Sequence, residues 1–255
     1  MTASSTPLPN ALRVLFCATL AATLVACGGG GSSAPAPAAP APTPAPAPAA
    51  AATQGFWTGS IDGQTTVSAV YLAEGPGITL LQTGPLTTLV VGTATVSLPA
   101  FAVTGRRYDI ASGTVGNYSA AGTVVPKSTL SFAGAGLTPP YTLSYNPAYE
   151  VPARLQDVAG RWQAGFSGGT LTLTLDIAAN GAVTGTNSSG CGYGGTVAPH
   201  AGGVAVFDVQ LTESCPSAAA NPLSGIATLN AAKTALSVAL VTSTQSAATA
   251  FQATR

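Results

Sequence analysis

Residues 165–169 read Gly-Phe-Ser-Gly-Gly, a literal match to the G-x-S-x-G turn that can expose a serine nucleophile. Ser167 would attack an acyl carbon only with a base beside it and a carboxylate to orient that base. His200 is the sole histidine, and Asp176 or Asp208 could be the third member. The context argues against this chemistry. A nucleophile elbow follows a strand and opens a helix, whereas this motif lies between two alternating β-runs. A Gly-rich hairpin turn accounts for the glycines without chemistry. Residues 190–195, Gly-Cys-Gly-Tyr-Gly-Gly, match G-x-G-x-x-G in the same formal way. They neither follow a βαβ strand nor open a helix, which disfavours dinucleotide binding. The eight carboxylates are scattered, with no Asp-x-Asp or Glu-x-x-Glu pair, so no metal site, cofactor or catalytic residue is expected.

The elements that would position any site begin well inside the chain. Residues 1–13 carry one charge, Arg13, and the apolar run that follows is too short to span a bilayer. This is the layout of a secretory signal. The run ends in Leu24-Val25-Ala26-Cys27, which resembles the lipobox of bacterial lipoproteins. The resemblance implies cleavage after residue 26, acylation of Cys27 and anchoring to the membrane by lipid. In such lipoproteins an Asp after the acylated cysteine signals inner-membrane retention; Gly28 stands there instead, so the resemblance implies outer-membrane sorting, facing either the periplasm or the exterior. Residues 27–53 are then a lipid-anchored linker of Gly, Ala and Pro, with no charge and no bulky side chain before the folded part. Such a tract cannot bury enough apolar surface to offset its chain entropy. Its Ala-Pro portion favours polyproline II, a semi-rigid stalk of roughly 50 Å at about 3.1 Å per residue.

From residue 54 onward there are seven Lys and Arg against eight Asp and Glu. A basic face for nucleic acid is therefore disfavoured, since phosphate neutralisation needs clustered cations. The few charges leave Thr, Ser, Asn and Gln to solubilise the surface, a style suited to a secreted β-protein. With Cys17 in the leader and Cys27 acylated, Cys191 and Cys215 remain in an oxidising compartment, and a disulfide between them is expected. A metal site pairing these cysteines with His200 lacks further ligands.

No long amphipathic helical pattern occurs. The chain reads as an all-β protein in two halves, residues 54–150 and 157–255, each a small antiparallel up-and-down barrel or sandwich. Residues 145–155, Tyr-Asn-Pro-Ala-Tyr-Glu-Val-Pro-Ala-Arg-Leu, join them. In the second half Leu171, Leu173, Leu175 and Ile177 alternate with Thr170, Thr172, Thr174 and Asp176, the period of a half-buried strand. A three-residue loop at Ala179-Asn180-Gly181 keeps the faces matched, setting Ile177 opposite Val183 with Gly181 left-handed. A hairpin turning across residues 199–203, with its second strand at 205–211, sets Val197 opposite Val209. It thereby brings Cys191 opposite Cys215. Further strands fit at 224–229, 235–241 and 247–253. A membrane-spanning barrel is the competing architecture, but aromatic girdle residues are scarce.

Each half opens with Gly-x-Trp, at Gly55-Phe56-Trp57 and Gly160-Arg161-Trp162. The second opening, its alternating strand and Asn180-Gly181-Ala182-Val183-Thr184-Gly185-Thr186 resemble the first hairpin of the avidin family, and lipocalins also begin with Gly-x-Trp. The resemblance covers about thirty residues and implies an eight-stranded up-and-down barrel. No Trp follows Trp162, so biotin recognition is not carried over. Trp57 and Trp162 are expected to plug the closed ends of small barrels or to line a ligand. The chain thus reads as an outer-membrane lipoprotein with a non-enzymatic binding or structural role. Its partner would be a small ligand or an envelope protein. Alternatives are a calyx-type carrier of a small hydrophobic or heterocyclic ligand and, further off, a serine hydrolase.

Overall fold

The computed structural model describes residues 49–84, 86–134, 137–166 and 171–255. Cys27, the residue expected to be acylated, most of the expected stalk and the motif serine Ser167 lie outside them. Among the described residues no helix is long and apolar enough to cross a membrane.

Both halves are closed eight-stranded antiparallel barrels. The first comprises β1 (Gly55–Ile61), β2 (Thr65–Tyr71), β3 (Gly77–Thr83) and β4 (Leu86–Ser97). It continues through β5 (Ala100–Asp109), β6 (Thr114–Val125), β7 (Thr129–Gly134) and β8 (Leu137–Asn146). Pairing of Trp57 with Tyr145 and Gly59 with Leu143 closes the ring. The second comprises β9 (Gly160–Phe166), β10 (Leu171–Ile177), β11 (Ala182–Asn187) and β12 (Gly192–Pro199). It is completed by β13 (Phe207–Ser214), β14 (Asn221–Leu229), β15 (Ala235–Thr242) and β16 (Ala248–Thr254), with Thr254 pairing Gln163. Of the two expected architectures, barrel and sandwich, the barrel is the one formed, twice.

The second barrel follows the register set by facing. Ile177 pairs with Val183 and Asp176 with Thr184 across the three-residue loop. Gly181 there has φ +84°, and a Cβ on it would meet the Val197 carbonyl oxygen at 2.2 Å. Val197 pairs with Val209, and one residue beyond the Gly192–Ser214 pair Cys191 and Cys215 are joined. Several boundaries lie a few residues from expectation, β14 for one beginning at Asn221 rather than at residue 224. The loop after β12 runs over residues 200–206, because Ala205 donates to the Tyr149 carbonyl (2.9 Å) and Val204 accepts from Ala153 (2.9 Å). These bonds to the inter-barrel segment take the place of ladder bonds, and β13 starts at Phe207 rather than Ala205.

Inward positions of the second barrel form one core, with Leu173, Leu175, Val197, Val209, Leu211, Leu236 and Leu240 all buried. Outward positions of β9 to β13 are Arg161, Gln163, Thr174, Asp176, Thr184, Gln210 and Thr212, a polar face. That is the inverse of a membrane-spanning barrel, which is apolar outside. In the first barrel the alternation fails in β3 and β4, where Ile78, Leu80, Leu89 and Val91 point outward. They pack with Tyr108 and Tyr149 against Val204, Val206, Ile226, Ala239 and Val241 of the second barrel. Strands buried on both faces lose the period-two signal. The inter-barrel segment is part of this contact: Tyr149 is buried and meets Phe56 edge-on at 5.1 Å.

Candidate functional site at the open barrel ends

Each barrel is stoppered at one end by its Gly-x-Trp segment. The glycines Gly55 and Gly160 have φ of +152° and +127°, a bend that lets the chain swing from a short helical turn into the first strand. Trp57 and Trp162 are both 0 % exposed. The Trp57 indole N–H donates to the Thr53 carbonyl at 2.8 Å, and that of Trp162 to the Val158 carbonyl at 2.7 Å, each four residues back. The same device thus seals both barrels, which makes the faint sequence repeat a structural one. The lids differ. Over Trp162 the Arg255 guanidinium lies 4.5 Å from the ring centroid and bonds the carbonyls of Lys233, Ala159 and Asp157. Beside Trp57 stands Tyr145, edge-on at 5.3 Å. Both tryptophans are fully buried under these contacts, and each barrel has a cup at its other end.

At the open end of the first barrel is a cup of about 520 Å³. Its apolar wall residues include Ile61, Leu81 and Val90, and its polar ones Thr65, Thr83, Thr88, Arg107, Asp109, Tyr118 and Tyr141. Asp109 accepts from Thr88 at 2.7 Å and pairs with Arg107 at 2.9 Å. The Thr88 hydrogen bond, with help from Arg107, holds its carboxyl below the usual carboxylate range. Tyr118 and Tyr141 share a hydrogen bond, and burial raises both phenols above their ordinary value. Behind them Tyr71 is pushed up to about 12, mainly by burial.

The open end of the second barrel holds a cup of about 280 Å³, to which all eight strands contribute. Its floor and walls include Phe166, Leu171, Leu173, Leu211, Leu223, Leu240 and Phe251. Above these, Asn187 donates to the Tyr193 hydroxyl at 3.0 Å, and that hydroxyl donates to Glu213 at 2.6 Å. Burial first, then the Glu213 contact, pushes the Tyr193 phenol up to about 12. The Asn187 side-chain oxygen accepts from the backbone of Ser189 and Cys191, which fixes the direction of the chain of donors.

His200 and Asp208, the base and carboxylate singled out for hydrolysis, are not brought to this end. His200 Nδ1 sits 2.9 Å from Asp208 Oδ1 at the closed end, while Phe166 and Leu171, the described residues flanking the motif serine, lie at the open end. Asp176 is engaged by Arg161 at 3.0 and 3.1 Å on the outer surface. Cys191, Glu213 and Cys215 come within 4.8 Å of one another, but both sulfurs are spent in the disulfide, leaving one carboxylate as a ligand. Sequence reasoning missed Glu213, Tyr193, Arg107 and Asp109. The signal was present: counting by twos from Val209 and Leu211 reaches Glu213, and from Phe101 and Val103 reaches Arg107 and Asp109, so charges stand at inward positions. No protein-family model matches the chain, and neither curated proteins nor solved structures give a significant match.

Proposed function

We propose that this is a lipid-anchored binding protein of the outer membrane, with Cys27 acylated, residues 27–53 serving as tether and stalk, and a small ligand held in the open barrel ends. The observation that carries the reading is the pair of cups, about 520 and 280 Å³, opposite the tryptophan plugs. A barrel built only as a spacer has no need of inward-facing charge and phenol at its rim, since desolvating such groups costs free energy unless partners compensate. Apolar walls with a few convergent polar groups are the usual make-up of a small-molecule site. Of the functions compatible with the fold, carriage by a calyx is the one these cups support best. Binding requires no turnover, and no reaction is assigned.

The test is to fill the cups. An environment-sensitive apolar dye should gain fluorescence with the wild-type protein. Leu81→Trp should remove the signal of the first cup and Thr249→Trp that of the second, with far-UV circular dichroism unchanged. Dye binding indifferent to both substitutions would overturn the proposal. The anchor is tested separately by Cys27→Ser, which should abolish fatty-acid labelling and release the protein from the membrane.

A further inference from the structure

The second cup has a chemical bias that the first lacks. In the first, Arg107 and Asp109 neutralise each other at 2.9 Å. In the second, Glu213 faces inward, half-buried, and its side-chain partner is the Tyr193 hydroxyl at 2.6 Å. No lysine, arginine or histidine is among the described residues lining this cup. The arginines and the lysine of the second barrel lie toward its closed end and are engaged there: Arg161 with Asp176, Lys233 with Asp157, and Arg255 with the carbonyls over the plug. A carboxylate held by a directed chain of donors over apolar walls lacks only a counter-charge, and a half-buried pair is screened by salt less than an exposed one.

Resting on the calyx reading above, we propose that the open end of the second barrel binds a small organic monocation, an ammonium group with a compact apolar body, and that Glu213 is its charge partner. The ammonium sits at the rim against Glu213, and the apolar body lies on Leu211, Leu223 and Phe251 below. The volume of about 280 Å³ sets the size. It equals roughly nine water volumes at about 30 Å³ each, enough for a single ring with a short arm and too small for a fused polycycle. A bare divalent cation is a poor occupant, because it needs several oxygen ligands and finds one carboxylate.

The experiment uses the full chain carrying Cys27→Ser and three probes of matched shape: benzylammonium, benzyl alcohol and benzoate. Binding is followed by calorimetry and by the tyrosine and methyl resonances of the cup. Benzylammonium should bind at least tenfold more tightly than benzyl alcohol, with benzoate weakest. Glu213→Gln should remove that preference while changing benzyl alcohol less than about twofold. Glu74→Gln, which deletes the same charge from an exposed loop of the first barrel, should change nothing. Equal affinity for cation and alcohol, or a preference that survives Glu213→Gln, would overturn the cation assignment. If benzyl alcohol still binds and Thr249→Trp abolishes it, the calyx reading stands without the cation. If none of the three probes binds the wild-type cup, both the assignment and the calyx reading of this barrel fall.

Discussion

Replacing Trp162 by Phe isolates what holds the closed end of the second barrel. The smaller ring leaves roughly 40 Å³ empty, which at about 24 cal/mol per Å³ costs about 1 kcal/mol. The Val158 carbonyl, on a residue that is 0 % exposed, loses the indole N–H that donates to it. An unsatisfied buried acceptor adds about 1–3 kcal/mol. The Arg255 guanidinium, 4.5 Å from the indole, is left over a weaker phenyl ring, a loss of about 0.5 kcal/mol at an exposed site. The expected loss is therefore about 3 kcal/mol. Urea unfolding at pH 7, followed by far-UV circular dichroism, should show the midpoint lowered and the slope unchanged. Because Ile78, Leu89, Tyr149, Val206 and Ile226 form one core across both barrels, the transition should remain single. A loss below about 1 kcal/mol, or a second transition assigned to an independently melting barrel, would refute the reasoning.

Four other outcomes follow from the same contacts. The double substitution Cys191→Ala/Cys215→Ala opens a cross-link of sequence separation 24 and should lower stability by about 3 kcal/mol in urea unfolding. Gly181→Ala should cost more than about 1–2 kcal/mol, the usual penalty for a left-handed alanine, because its Cβ also collides with the Val197 carbonyl oxygen. Thr88→Val removes the main cause of the lowered Asp109 pKa, so the carboxyl resonance of Asp109 should titrate higher than in the wild type. The sign is that of a depressed acid: the Asp109 contribution is present above the ordinary carboxylate pKa near 3.9 and is lost as pH falls through the lower folded value. Urea midpoints should therefore fall in that acidic window more steeply for the wild type than for Asp109→Asn.

The second barrel was legible because it is half-buried strand by strand. Leu171 to Ile177 point one way and threonines the other, so the register, the loop at Gly181 and the cysteine pairing all follow from matching faces. The first barrel was harder to phase, because Ile78-Thr79-Leu80-Leu81 and Leu89-Val90-Val91 are apolar on both faces where the barrels meet. Nothing local in Ala205 announces that its N–H goes to Tyr149 rather than to a ladder, since that bond depends on how the barrels dock. The candidate sites were half legible. The two tryptophans stood out as residues that would plug a barrel or line a ligand, whereas the cups at the opposite ends depend on Glu213, Arg107 and Asp109 being inward, which needs the complete phasing of β5 and β13. The serine motif drew attention because its letters match, but the base and carboxylate that would serve it, His200 and Asp208, pair with each other at the far end of the barrel.

The central claim is that an anchored barrel carries a small molecule, and native mass spectrometry of the acylated protein released gently from its own membrane tests it most directly. The account predicts a mass above that of the acylated chain by a small ligand that collisional activation removes. The Leu81→Trp/Thr249→Trp double variant, equally folded, should carry none. Wild-type protein at the mass of the acylated chain alone, with no dye bound in either cup, would contradict it.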